Sequence, residues 1–200
     1  MNTLNKNFDF LNSFINVSEE TFTKLQNIAT FKVFDAHTEI AKTGEICTKI
    51  YMLVSGLIRV YLRAESGKEY NKHLYTPISF VGPFTSLIKK TPSKLTYETL
   101  TDCEVYEICF ADIVNLRKSD LTISNLYGSN LYGNILEQVF IKDEKRQLEL
   151  ISLDATQRYL KLKKQIPNID ALIPQYQIAS YLSITPVQMS RIRKNINECH

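Results

Sequence analysis

Four residues near the end of the chain, Val187, Ser190, Arg191 and Lys194, stand at spacings of three, one and three residues. At about 100° per residue they share one stripe of a helix. The stripe is small, polar and cationic, a character that suits the major groove of DNA. Arginine presents two parallel donors to guanine O6 and N7, so Arg191 is the expected base reader. Thr185 and Ser190 are placed to reach phosphates or bases, and Pro186 and Val187 lie at the leading end of the same helix. Arg193 and Lys194 suit phosphate contacts that fix position, as do Gln175 and Tyr176 on a preceding helix.

The elements that must hold this stripe are legible around it. Pro174 to Ile196 reads as a helix, a tight turn and a second helix. Ile178, Ala179 and Leu182 share one face of the first helix, and Met189, Ile192 and Ile196 share one face of the second. Ala179 allows close approach where the helices cross, and Ile184 plugs the turn. Thr185 is a suitable N-cap, Pro186 is pre-set for the first helical position, and Gln188 completes a Thr-x-x-Gln capping box. Ser183 falls where such a turn goes left-handed, at a cost of about 1 kcal/mol for a residue other than glycine. A helical hairpin with a merely solvated basic face would share these features.

Charge sharpens the reading. Seven basic residues (Arg158, Lys161, Lys163, Lys164, Arg191, Arg193 and Lys194) face a single acid, Asp170, between positions 158 and 194. That segment carries +6 in a chain of net +3, so the remainder carries −3. A basic end on a mildly acidic body is the footprint of a phosphate-binding region.

With 200 residues, 44% of them hydrophobic and 22% charged, the chain can build one large core or two small ones. No basic start leads into an apolar run, and no stretch approaches the length of a membrane span, so no signal peptide and no membrane partner are expected and the expected location is cytoplasmic. The cysteines, Cys47, Cys103, Cys109 and Cys199, form no Cys-x-x-Cys pair and read as free thiols, with redox sensing by one of them the lesser reading. His37, His73 and His200 lack the spacing of metal ligands, so neither metal nor cofactor is expected.

Three zones follow one another. Residues 1–30 have helical spacing in Phe8, Leu11, Ile15, Phe22, Leu25 and Ile28, with a helix start at Ser18. Residues 31–110 carry short β-rich runs: Phe31–Phe34, Ile50–Val54, Leu57–Leu62, Tyr70–Tyr75, Leu95–Leu100 and Glu104–Ile108. Gly44, Gly56, Gly67 and Gly82 punctuate them, which points to a small antiparallel barrel or sandwich. Val54-Ser55-Gly56-Leu57 and Glu65-Ser66-Gly67-Lys68 both read as tight hairpins. Residues 111–151 turn helical, with an apolar stripe of Leu131, Ile135, Leu136, Val139 and Phe140 that must bury on the barrel or on a second copy of itself. Gly128 and Gly133 weaken that helix or allow close approach. We expect a homodimer, whose two-fold symmetry suits DNA. Ser152 to Asp154 begin a further helix through Lys164, and a loop at Gln165–Asn168 precedes the hairpin.

This order of zones resembles the Crp/Fnr family of bacterial transcription regulators. The residues that carry the likeness are Thr43-Gly44-Glu45, the run Ile50 to Tyr61, Gly67-Lys68-Glu69, Phe80-Val81-Gly82 and the stretch Ile173 to Ile196. The resemblance implies an α+β fold: a jelly-roll-like double-stranded β-helix sensor domain over residues 1–120, a connecting dimerisation helix over 121–151 and a helix-turn-helix domain over 152–200. It implies a homodimer on a palindromic operator, with double-stranded DNA as partner and RNA polymerase as a further one. Arg191 stands where the family's base-reading arginine stands. Pro186 and Val187 replace the Arg and Glu of the family's well-known activator, so its operator does not carry over. The chain ends soon after this helix, and no β-hairpin wing contact is expected.

The pocket departs from the family pattern. Where cyclic-nucleotide-binding members follow the pocket glycine with Glu, Gly82 is followed by Pro83. Where an Arg-Ser pair neutralises the cyclic phosphate, the chain has Pro92-Ser93-Lys94-Leu95, and Lys94 supplies a point charge without the bidentate fork. Cyclic AMP is therefore not the expected ligand. Gly82, Phe84, Thr85, Ser86, Ser93 and Lys94 are the candidate ligand-binding residues for another small effector, unless Phe84 and Leu87 fill the space. Two rivals stand beside this reading. An enzyme on a cupin-like barrel lacks its histidines, so no catalytic residues are assigned. A sensor or protein-interaction module would carry a helix-turn-helix that does not read DNA.

Overall fold

The computed structural model describes residues 19–119 and 131–198. The expectations for Phe8, Leu11 and Ile15, for the stretch 121–130 with Gly128, and for Cys199 and His200 lie outside the described residues. Chain order is α1 (Glu19–Ile28), β1 (Ala29–Phe34), β2 (Glu39–Ala41), β3 (Lys49–Ser55), β4 (Ile58–Arg63), β5 (Glu69–Tyr75), β6 (Ser79–Val81), α2 (Phe84–Lys89), β7 (Thr96–Thr99), β8 (Cys103–Cys109) and α3 (Phe110–Ser119). There follow α4 (Leu131–Ser152), α5 (Ala155–Gln165), α6 (Ile169–Leu172), α7 (Gln175–Tyr181) and α8 (Pro186–Glu198).

The strands form two four-stranded antiparallel sheets, β1-β8-β3-β6 and β2-β7-β4-β5. Strand alternation divides β3: Tyr51 and Leu53 point between the sheets, with Ile58, Val60, Val81, Tyr97 and Val105. Ile50 and Met52 point outward and pack with Leu25 of α1, Ile113 of α3 and Ile135 of α4. The expected jelly-roll-like α+β architecture is thus present.

One expected hairpin is a corner instead. Val54 to Leu57 joins β3 to β4, but β3 pairs with β6 and β8 while β4 pairs with β5 and β7, so the turn passes from one sheet to the other. Gly56 has φ +93°, and a Cβ there would sit 2.3 Å from the Asp102 carbonyl oxygen. The glycine marks close backbone approach between strands, which a local reading mistakes for a two-residue loop. The second hairpin is real: β4 and β5 pair from Ile58↔Tyr75 to Arg63↔Glu69, closed by the Ala64 N–H donating to the Lys68 carbonyl at 2.9 Å. The short strands β2 and β6 and the short helices α2 and α6 had no periodic signal, being three to six residues long.

The C-terminal helices do not keep a separate core. Tyr159, Leu162, Ile169, Ile173, Ile178, Leu182 and Met189 pack in one cluster with Leu57, Leu74 and Leu100 of the roll. The expected stripe on α4 divides: Ile135 is buried beneath the roll, whereas Phe140 is 66% exposed.

Candidate nucleic-acid interface and roll cavity

The turn between α7 and α8 is built from hydrogen bonds that its sequence dictates. Ser183 takes φ +57°. The Ser183 N–H donates to the Ser180 carbonyl at 3.1 Å and the Ile184 N–H to the Ala179 carbonyl at 3.0 Å. This is a Schellman C-cap, with serine in the left-handed place usually held by glycine. The capping box then starts α8. The Gln188 N–H donates to Thr185 Oγ1 at 3.2 Å, and the Thr185 N–H donates to Gln188 Oε1 at 2.9 Å. Two adjacent caps leave α8 one direction in which to leave the turn.

Met189 is fully buried, and Ile192 and Ile196 pack against the same core. That fixes the rotation of α8 and turns Val187, Ser190, Arg191 and Lys194 to solvent. Among the described residues Arg191 and Ser190 have no side-chain hydrogen bond or ion pair. Lys194 Nζ lies 3.7 Å from Glu198 in an exposed i,i+4 pair, a contact of small energetic weight. Arg193 sits off the stripe, with its Nε 3.9 Å from Asp170. Asp170 also accepts from the Tyr159 hydroxyl at 2.6 Å, so Arg193 helps anchor α8 to α5 and α6. Tyr176, 58% exposed, shares a groove with Thr185, Pro186 and the tip of the β4–β5 hairpin. Gln175 is half-buried at the start of α7.

A buried polar network that the sequence analysis missed positions α7. Arg59 is 5% exposed on β4 and donates to Glu98 at 2.7 Å and to Glu69 at 2.6 Å. It also donates to Gln177 Oε1 of α7 at 3.0 Å, and its guanidinium lies over the Tyr61 ring at 3.9 Å. Asn71 Nδ2 donates to the same Gln177 oxygen at 2.6 Å and to the Gln177 carbonyl at 3.0 Å. Ser180 satisfies the open edge of β5, accepting from the Asn71 N–H at 2.9 Å and donating to the Glu69 carbonyl at 3.1 Å. Burial raises the Glu69 carboxyl, but hydrogen bonds from Arg63 and Arg59 outweigh it and hold it below the usual range. From the other side, Arg146 of α4 lies over the Tyr181 ring at 4.0 Å and donates to the Tyr181 carbonyl. The available signal was a lone arginine inside an apolar β-run, whose partners lie 10 to 118 positions away.

Inside the roll, a cavity of about 450 Å³ is lined by all six expected ligand residues, Gly82, Phe84, Thr85, Ser86, Ser93 and Lys94. Phe84 stands on the wall of the cavity and Leu87 is buried. Its polar atoms are largely committed to the fold. Ser86 Oγ accepts from the Cys47 N–H at 3.2 Å, and Ser93 Oγ donates to the Leu95 carbonyl at 2.7 Å. Asp143 of α4 also lines it, with Oδ1 2.8 Å from His73 Nε2 and Oδ2 accepting from Lys72 Nζ at 2.9 Å. The His73 contact leads and Lys72 follows; together they overcome burial and hold the Asp143 carboxyl down to about 2. A fixed carboxylate therefore faces any ligand here. Cys47, Cys103 and Cys109 are free, and burial pushes the Cys47 and Cys103 thiols up. Among the described residues no cluster of three His, Cys, Asp or Glu could hold a metal, and no helix is long and apolar enough to cross a membrane.

A roll with a lined cavity, a long helix and a capped two-helix unit together define the architecture. Residues 31–120 match the cyclic nucleotide-binding domain family. Solved structures share the fold of nearly the whole chain. The c-di-GMP-responsive global regulator CLP of Xanthomonas campestris is 15% identical, with 90% of this chain and 92% of that one covered at a TM-score of 0.68. FixK2 of Bradyrhizobium japonicum is 17% identical, with coverages of 86% and 85% and a TM-score of 0.68. A transcriptional regulator of the Crp/Fnr family described in Eubacterium rectale is 14% identical, with coverages of 91% and 84% and the same TM-score, 0.68. Among curated proteins no sequence matches this one. Residues 31–120 thus match the cyclic nucleotide-binding domain family, and the chain as a whole shares the fold of these solved structures.

Proposed function

We propose that this chain is a sequence-specific DNA-binding transcription regulator that acts as a homodimer on a palindromic operator. The observation that carries the reading is the stripe Val187, Ser190, Arg191 and Lys194, which the core turns outward on a helix capped at its start. Arg191 reads a base edge, Ser190 and Thr185 reach bases or phosphates, and Lys194 holds a phosphate. Arg193 acts mainly through Asp170, orienting α8.

The dimer contact lies on α4. Ile141 and Leu148 stand one heptad apart, and Ile151 follows at the next seam position. Together with Phe140 they are 46–84% exposed, too much apolar surface to leave on an isolated helix. RNA polymerase is the further partner that this reading implies. A small molecule other than cyclic AMP occupies the roll cavity, because Pro83 supplies no carboxylate for a ribose hydroxyl and Lys94 supplies only a point charge in place of an arginine fork.

Selection of bound duplexes from a random DNA pool tests the proposal. The expected result is a palindrome with half-site centres about one helical turn apart. Lys194→Ala should then weaken all sequences alike and reduce the salt slope by about one. No enrichment at low salt, with or without added small molecules, would return the chain to the reading of a sensor or interaction module.

A further inference from the structure

A second cavity, of about 320 Å³, lies where β5, α4, α5 and the end of α7 meet. It is separate in character from the roll cavity, although Tyr75 contributes to both walls. One face of α4 supplies its charge: Lys142, Lys145, Arg146 and Glu149 recur at helical spacing and all line it. Glu149 is already paired with Lys161 at 2.9 Å. Leu74, Leu162 and Ile166 give it apolar walls.

Arg146 is the informative member. It is only 7% exposed and makes no ion pair among the described residues, although the Glu149 carboxylate acts on its charge. Its Nη2 donates to the Tyr181 carbonyl, yet its buried Nε has no hydrogen-bond partner. An arginine carries five N–H donors and no acceptor, so those of Arg146 that line the cavity suit the oxygens of an anion, whereas Nε itself is enclosed by protein. Lys145 is exposed and brings a second cation to the same space. Lys142 Nζ, 2.7 Å from Ser79 Oγ, brings a third from the roll side. The lining therefore holds three cations, rich in donors, against a single carboxylate that is paired elsewhere.

We propose that this cavity binds a small phosphate ester: the phosphate dianion sits against Arg146, Lys145 and Lys142, and its compact uncharged part sits against Leu74, Leu162 and Ile166. A dianion matches the net +2 of the lining, and its three acceptor oxygens suit a wall of donors. A carboxylate would leave a full charge unmatched. The site touches the roll, α4 and the helix-turn-helix unit together, so a ligand there bears on how α7 and α8 are held.

The test is calorimetric titration of the full chain, without DNA, using inorganic phosphate and phenyl phosphate as probes in separate runs. Phenyl phosphate should saturate at one site per chain and bind more tightly than inorganic phosphate, because it reaches the apolar wall. Lys145→Gln, at the rim, should weaken both probes about tenfold or more. Arg146→Gln should do the same, and if that variant fails to fold, Lys145→Gln alone decides. Lys94→Gln in the roll cavity and Lys194→Gln on α8 should leave both affinities unchanged. No saturation by about 10 mM of either probe would overturn the proposal. So would binding that Lys94→Gln or Lys194→Gln abolishes while Lys145→Gln leaves it intact. The readout is independent of operator binding, so either failure leaves the DNA-reading proposal standing.

Discussion

The outer stripe of α8 and the wall of the roll cavity hold similar residue types in opposite conditions. On α8, Arg191 and Ser190 are exposed and make no side-chain hydrogen bond or ion pair among the described residues, and Met189 behind them packs in the core. In the roll cavity, Ser86, Ser93 and Asp143 are all bonded to the fold itself. Polar groups that the fold has already satisfied contribute first to its stability, and groups it leaves unsatisfied at an ordered surface are free to recognise a partner. Substitutions on α8 should therefore change binding with little cost to stability, whereas substitutions around the roll should change stability first.

The strongest break of this contrast lies in the frame that both regions share. Arg59→Leu leaves Glu98 buried without its cation and severs β4 from Gln177. Removal of one partner from a buried pair costs about 3–5 kcal/mol, and urea denaturation should show a loss of that size. A loss below about 1 kcal/mol would mean that Glu98 and Glu69 relax to solvent and that the network carries little.

Arg191→Ala should leave the urea midpoint within about 0.5 kcal/mol of the parent. It should weaken binding to the selected operator by about 1–3 kcal/mol and relax specificity at one base pair of each half-site. Equal weakening on all duplexes would demote Arg191 to a phosphate contact.

On the cavity side, Asp143 gives a pH signature. Its folded pKa lies below the unfolded value, so its stabilisation is fully present above about pH 4 and fades as pH falls toward 2. Asp143→Asn should be less stable than the parent at neutral pH and should lose that part of the acid dependence. Parallel acid unfolding curves for the two proteins would show that His73 and Lys72 do not stabilise the ionised carboxyl.

The smallest expected effect sharpens the turn. Ser183→Gly relieves a left-handed serine at φ +57° and should stabilise by about 0.5–1 kcal/mol in thermal unfolding, with DNA affinity unchanged.

Features set by neighbours in the chain were readable without coordinates. The Thr185–Gln188 capping box, the left-handed Ser183, the buried face of Met189, Ile192 and Ile196, and the Gly67 hairpin each depend on residues within a few positions, where local geometry and helical period suffice. The short strands β2 and β6 escaped because three residues carry no usable period. Gly56 misled because its positive φ serves a distant strand, with Asp102 rather than a hairpin partner as its neighbour.

What tertiary structure alone decided is where charge goes when it leaves water. Arg59 stands inside an apolar strand, and only folding brings Glu98, Asn71 and Gln177 around it. The candidate cavity residues line one cavity, yet nothing local told that Ser86 and Ser93 would spend their hydroxyls on the backbone or that α4 would deliver Asp143. Nor did α4 disclose that Arg146 would be buried with a donor unmet. A chain fixes the period, cap and charge of each segment through short-range sterics and hydrogen bonds. The partners of a buried charge are fixed by long-range packing, because desolvation makes each such group depend on whatever the fold places within hydrogen-bond reach.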